Sequence, residues 1–265
     1  MPDSSSLNIL TGKLIIGTLL FIRILGFVAA SPFFRSTSIP NQIKIFLGVI
    51  LAFSVTTAFW TEQPVIEFHL WYMILLVMKE FFLGVAIGFV ANAVFWGARM
   101  AGGLVDFDLG FFTAMLFNMD EDTPTIVGEF KEMIVIMLFL FLNGHHFLIE
   151  GIYASVRAVP ITTFAVTEST VTMLIKMATT VFIVGIKMAA PVIVAIFLTN
   201  LALALLARVA PQTNIFILSF QLKIAVGLLV LFASSALIVM VAKYALQGFE
   251  TEIMKFIMTL NPARV

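Results

Sequence analysis

Uncharged, mostly apolar runs alternate with short clusters of charge along the whole chain. Seventeen uncharged residues separate Lys44 from Glu62, eighteen separate Glu80 from Arg99, and seventeen separate Glu132 from Glu150. Twenty lie between Lys187 and Arg208, and nineteen between Lys223 and Lys243. Leu14 to Phe34 is apolar except for Arg23, and Val171 to Ile186 is apolar except for Lys176. A hydrocarbon core of about 30 Å takes about 20 apolar residues of helix, so these runs have spanning lengths. Backbone groups in lipid must be satisfied within their own segment, which selects helix. The pattern predicts an all-α integral membrane protein with six to seven long hydrophobic helices and no soluble domain. Breaks fall at "SPFFRSTSIPNQ", "TEQP", "NMDEDTP" and "VAPQTN". The last is short, so Lys187–Ala210 and Ile215–Lys243 are expected to form a tight antiparallel hairpin.

Composition agrees. Of 265 residues, 61% are hydrophobic and 11% charged, against about 45–50% and about 25% in soluble domains. That excludes a compact soluble fold and, by the same figures, a disordered chain. Fifteen basic residues balance fifteen acidic ones, which leaves no basic footprint for nucleic acid. Cysteine is absent, so disulfide and thiol chemistry are excluded. The polar opening "MPDSSSLN" lacks a basic start and a cleavage site, and is expected to cap a helix beginning near Ile9 rather than act as a cleaved signal. Lys and Arg counts in successive breaks do not sort to alternate sides. Arg99 to Glu132 holds seven acids and two bases where a cytoplasmic loop is expected, so simple threading back and forth is not indicated.

Several residues carry candidate chemistry. Arg23, Lys176 and Lys187 would each cost about 2.5–3.5 kcal/mol facing lipid, so they belong either to an ion or substrate path or to ordinary pairing and snorkelling. Lys79-Glu80 reads as helix-end charge. Asp106, Asp108, Asp120, Glu121 and Asp122 flank the apolar run "LGFFTAMLFNM" without the spacing of a calcium loop, so a solvated loop is expected. The run itself suits a buried helix or a constriction, since Phe and Met side chains are bulky and deformable. In "FLNGHHFLI", His145 and His146 diverge by about 100° on a helix and cannot readily share a metal. Asn143-Gly144 is expected to bend the chain, with a histidine satisfying the freed backbone. The chain carries no catalytic constellation and implies no cofactor. After Lys243, Leu246, Phe249, Ile253, Phe256 and Leu260 recur at helical spacing. They are expected to form an amphipathic tail on the membrane surface or against a partner.

"RILGFVAASPFF" with "IPNQIKIFLGV", then "EFFLGVAIGF", "LFLFLNGHHFLIEGI" and "PVIVAIFLTNLALALLARVAPQTNIFILSFQLKIAVGLLVL" cover nearly the whole chain. Together they resemble the FliR family of flagellar biosynthetic proteins, equivalent to the T-type subunit of virulence type III secretion systems. The "NGHH" and "NLALALLARVAPQTNIF" stretches are the specific ones. They mark Asn143, Gly144, His145, Arg208 and Pro211 as family-motif residues with structural roles.

The resemblance implies a single-copy, non-enzymatic subunit of the flagellar export gate, in the bacterial inner membrane at the basal body, needed for export of flagellar proteins. It implies tilted and bent helices: a FliP-like part over residues 1–175, a FliQ-like hairpin over 176–243, and a tail over 244–265. The implied partners are FliP and FliQ in a closed helical ring, FlhB and FlhA beside it, unfolded exported flagellar proteins as substrates, and membrane lipid. It also implies a plug-like segment within 106–122, whose candidate constriction residues are Phe111, Phe112, Met115 and Phe117. There "DFDLGFFTAMLFNMDEDTP" departs from the family's glutamine-and-methionine lead. A small-solute transporter is the alternative, although corresponding helix breaks in two halves are not visible. An intramembrane enzyme around His145, His146 and Glu150 is disfavoured by the spacing.

Overall fold

The computed structural model describes residues 4–31, 34, 40–64, 66, 69–111, 125–212 and 214–261, with side chains from Leu10 onward. Among them the regular structure is helical: α1 (Ser4–Ala30), α2 (Asn41–Phe59) with a 3-10 turn Trp60–Glu62, α3 (Leu70–Leu109), α4 (Ile126–Phe141), α5 (Gly144–Ala158), α6 (Glu168–Val209), α7 (Ile215–Ala233), α8 (Ser235–Gln247) and α9 (Phe249–Thr259). Five of these segments are long and apolar enough to cross a membrane, or six when α4 and α5 count as one broken span.

Charge spacing located these runs but not all their ends. Val171–Ile186 and Lys187–Ala210 are one 42-residue helix, α6, because an exposed lysine on a long stem does not interrupt a helix. The run before Lys243 is instead divided at Ser234 into α7 and α8. The run from Glu132 to Glu150 breaks at Leu142-Asn143, where Asn143 takes a left-handed backbone (φ 57°). Asparagine tolerates that conformation where most residues do not.

Two compact units form. The first comprises Met1–Ala93, Asn143–Met177 and Gly248–Val265; the second comprises Val94–Leu142 and Ala178–Gln247. In the first, α1 and α2 lie antiparallel: Gly17 faces Thr56, Gly48 faces Phe21, and the Lys13 ammonium sits 4.3 Å from the Trp60 ring centroid. The first part of α3 runs parallel to α1, with Gly26 against the Phe81 carbonyl, Gly84 against the Arg23 carbonyl and Gly88 against Ala30. A Cβ at Gly84 would overlap the Arg23 carbonyl, so the backbones can approach only because glycine is there.

The C-terminal stripe packs in this same unit. Phe249, Ile253, Phe256 and Leu260 are buried, and α9 rests on α5. The Thr167 and Thr170 hydroxyls donate to the Thr259 carbonyl at 3.1 and 2.8 Å, and Asn261 Nδ2 donates to the Ala158 carbonyl at 2.7 Å. The helical periodicity was legible, but the surface it serves is the chain's own core rather than membrane or partner. Four buried apolar side chains and three polar ties fix the short helix.

In the second unit, α3 from Val94 and α4 make an antiparallel hairpin. Phe95 meets Phe139 edge to face with centroids 5.4 Å apart, Arg99 pairs with Glu132, Gly102 touches Gly128, and Asp106 meets Val127. Gly97 and Gly185 let α6 approach α3. α7 folds back on α6 through Ala210–Asn214: a Cβ at Gly227 would lie 3.6 Å from Ile196, and these two residues stand at nearly equal distances from the turn.

Candidate functional site

Of the segment expected to be plug-like, 106–122, the described residues include only its start, at the end of α3 and just beyond it. Gly110, with φ 85°, ends α3, and its N–H donates to the Phe107 carbonyl at 3.1 Å. Glycine at the left-handed position after a helix carries little steric cost there. Phe111 follows, half-buried. Phe112, Met115 and Phe117 lie outside the described residues, as do Asp120, Glu121 and Asp122.

Asp106 is not part of a solvated loop. It is buried on α3, and both carboxylate oxygens accept the Val127 N–H at 3.2 Å. A carboxylate at the first turn of α4 satisfies an orphan donor and opposes the positive end of the helix dipole. Asp108, half-buried, is also on α3. About two turns before Asp106 on α3, Arg99 Nε donates to Glu132 Oε2 at 2.6 Å. The base of the segment is therefore held by a carboxylate–amide bond, a glycine–glycine contact and an ion pair.

Lys131 lies behind this base. It is fully buried, Nζ donates to the Met188 carbonyl at 3.0 Å, and Asp106 is its electrostatic neighbour. Met188 stands just ahead of Pro191, which interrupts the ladder of α6 by lacking an N–H. In the sequence this lysine counts only as one of two bases in the break from Arg99 to Glu132. The available signal was its register: Val127, Lys131, Val135 and Phe139 recur every four residues, and all four are buried.

The first unit holds a second buried charge node. Arg23 Nε donates to Glu80 Oε2 at 2.5 Å, and its other nitrogens donate to the Ser155 and Val159 carbonyls at 3.1 and 3.0 Å. Arg23 is 1% exposed and Glu80 0%, so the pairing expected for Arg23 is present. Glu80, however, is not helix-end charge. It lies inside α3, pointing inward while Lys79 points outward, as neighbours about 100° apart on a helix must. Lys176 pairs with Glu252 at 3.0 Å, and Lys187 is exposed.

At the "NGHH" bend the main chain satisfies itself. The Leu142 N–H reaches the Leu138 carbonyl and the His146 N–H reaches the Asn143 carbonyl, each at 2.9 Å. No imidazole takes the role expected of it: His145 Nδ1 is buried without a partner among the described residues. The rings of His145 and His146 lie 4.2 Å apart, tilted by 37°. Gly144 is buried at the start of α5. No cluster of potential metal ligands occurs among the described residues.

Arg208 and Pro211 flank the other motif. Arg208 is exposed in the last turn of α6, where a cation complements the helix dipole. Pro211 is exposed in the turn, and Asn214 Oδ1 accepts the Ile217 N–H at 3.4 Å to cap α7. Large apolar side chains stand exposed along the hairpin: Val209 83% and Phe216 86% beside the turn, and Phe232 84% near the far end of α7.

Residues 14–249 match the family described as "Bacterial export proteins, family 1". The flagellar biosynthetic protein FliR of Bacillus subtilis (strain 168) is 30% identical over 232 residues, covering 85% of this chain and 88% of its own. FliR of Escherichia coli (strain K12) is 28% identical over 220 residues, 82% and 83% of the two chains. The Yop proteins translocation protein T of Yersinia pestis is 33% identical over 173 residues, 64% and 66%. With its helices, both motif stretches and nearly its whole length matched, the chain belongs to the bacterial export protein family that includes the FliR proteins.

Proposed function

We propose that this chain is a structural, protein-conducting subunit of the flagellar type III export gate, set in the bacterial inner membrane at the basal body. The uncovered apolar hairpin α6–α7 carries this reading. A chain whose relatives are named for flagellar biosynthesis and protein translocation presents large aromatic side chains along a helix that buries little of itself. Such a helix is suited to packing against other subunits. FliP and FliQ are the proposed ring neighbours, with FlhB and FlhA beside them and unfolded flagellar proteins passing through. Residues 1–175 take the FliP-like role, and 176–243 the FliQ-like role.

The family assignment sets aside the small-solute transporter. In the gate, the plug-like segment 106–122 serves as the apolar seal, with Phe111, Phe112, Met115 and Phe117 narrowing the closed pore. Its clamped base favours this, since a seal needs fixed ends and a deformable middle. Replacing these four residues with alanine is expected to make the resting gate leak ions, read as membrane conductance in cells assembling the complex. Unchanged conductance with normal assembly would remove the plug assignment.

A further inference from the structure

A groove of about 390 Å³ runs between α1 and α2 in the first unit, lined by Leu14, Gly17, Phe21, Val49 and Phe53 among others, and its walls are almost entirely apolar. Three features distinguish it from an ordinary seam between helices. Lys13 stands at one end, exposed, with its ammonium over the Trp60 ring. Thr56 Oγ1, one turn deeper on α2, is buried with no hydrogen-bond partner among the described residues. The other hydroxyls in the lining are satisfied: Thr18 donates to the Leu14 carbonyl at 2.8 Å and Thr57 to the Ser54 carbonyl at 2.8 Å.

From these observations we infer that the α1–α2 groove is a binding site for an anionic phospholipid. Dimension, charge and depth agree. Among the described residues the lining runs along α1 from Leu10 to Phe21, roughly 16 Å at ~1.5 Å per residue, long enough to hold much of one acyl chain. Lys13 directly precedes the apolar run Leu14–Phe34, and tryptophan favours the headgroup level. A phosphate at Lys13 places the glycerol esters about one turn lower, at the Thr56 hydroxyl, which donates to an ester carbonyl. One acyl chain then fills the groove past Gly17, where the missing side chain leaves its width. A helix from a partner subunit would leave the Lys13 charge and the Thr56 donor without complementary groups unless it carried them; the lipid supplies both.

The full-length chain, purified in detergent, is mixed with equal amounts of phosphatidylglycerol and phosphatidylcholine of the same acyl length, and bound lipids are counted by native mass spectrometry. The wild type is expected to prefer phosphatidylglycerol about fivefold, the ratio one lysine near the headgroup confers. Lys13→Gln should bring the ratio close to one while total bound lipid stays the same. Val49→Trp, at a partly exposed position on the groove wall, should displace both lipids and leave the melting temperature unchanged. Equal binding of the two lipids by the wild type would overturn the inference. So would a Val49→Trp variant that binds both lipids as the wild type does, or a wild type with no bound lipid.

Discussion

The apolar spans of α1 and α7, 21 and 19 residues, are comparable in length and apolarity, yet the chain uses them differently. An 18-residue stretch within Leu10–Ala30 has 44% of its residues buried, whereas one within Ile215–Ala233 has 11%. α1 carries Gly26 at a backbone contact and Arg23 in a buried pair with Glu80. α7 carries one buried glycine, Gly227, and otherwise turns Phe216, Leu229 and Phe232 outward. Water alone would drive the two helices equally into a core. In a bilayer, lipid tails are as apolar as leucine, so close packing comes from small residues and polar ties. The helix that has both is packed within its own chain, and the helix that has few remains available to other subunits.

The sharpest way to break this comparison is at the buried pair. Glu80→Leu leaves the Arg23 guanidinium without its carboxylate and should cost about 3–5 kcal/mol, read as a large fall in melting temperature in detergent. The double replacement Arg23→Met with Glu80→Leu should recover most of the loss, because an apolar pair of similar volume needs no compensation. If Glu80→Leu melts like the wild type, the node does not hold α1 to α3.

On the α6–α7 side the expected effect is on assembly. Leu205 is 68% exposed on α6, so Leu205→Glu should leave the melting temperature of the isolated chain unchanged. The carboxylate would cost about 2.5–3.5 kcal/mol in a dry surrounding, enough to remove the chain from a partner complex on native gels. An intact complex would refute the hairpin as an interface.

A third variant sharpens the role of small residues. Gly84→Ala meets the Arg23 carbonyl and should destabilise by about 1–3 kcal/mol. Gly12→Ala, with nothing within 4 Å of the added carbon, should stabilise by up to about 1 kcal/mol through helix propensity. Equal melting temperatures for the two would show that the close approach of α1 and α3 is incidental. The smallest effect is expected from Lys176→Met, which breaks the half-exposed pair with Glu252 at about 1 kcal/mol or less.

Much of the helical content was legible because a spanning length and a ban on unpaired backbone in lipid leave few other structures. The stripe from Leu246 to Leu260 was equally legible, since periodicity reports a face. Periodicity does not report what covers that face, and from Phe249 onward, in α9, it is α5 of the same chain that α9 rests on. Glu80 and Asp106 were misread for a related reason. Their immediate neighbours are charged, so they look like solvent-facing clusters, but their partners lie 57 and 21 residues away. Lys187 marked a false boundary because a lysine can sit on the surface of an uninterrupted helix. The bend at Asn143 was visible in the sequence, whereas its backbone satisfaction, by main chain rather than imidazole, was not. Of the four plug candidates, Phe111 is placed just beyond α3 and the other three fall outside the described residues.

The central claim is that the bare apolar face of the α6–α7 hairpin belongs to other subunits of an export gate. A photoreactive phenylalanine analogue at Phe232, and separately at Leu205, tests it most directly in cells that build the apparatus. Crosslinks from both positions to another export-gate protein, lost when that protein is deleted, are the predicted result. Adducts with lipid alone at both positions would contradict the claim.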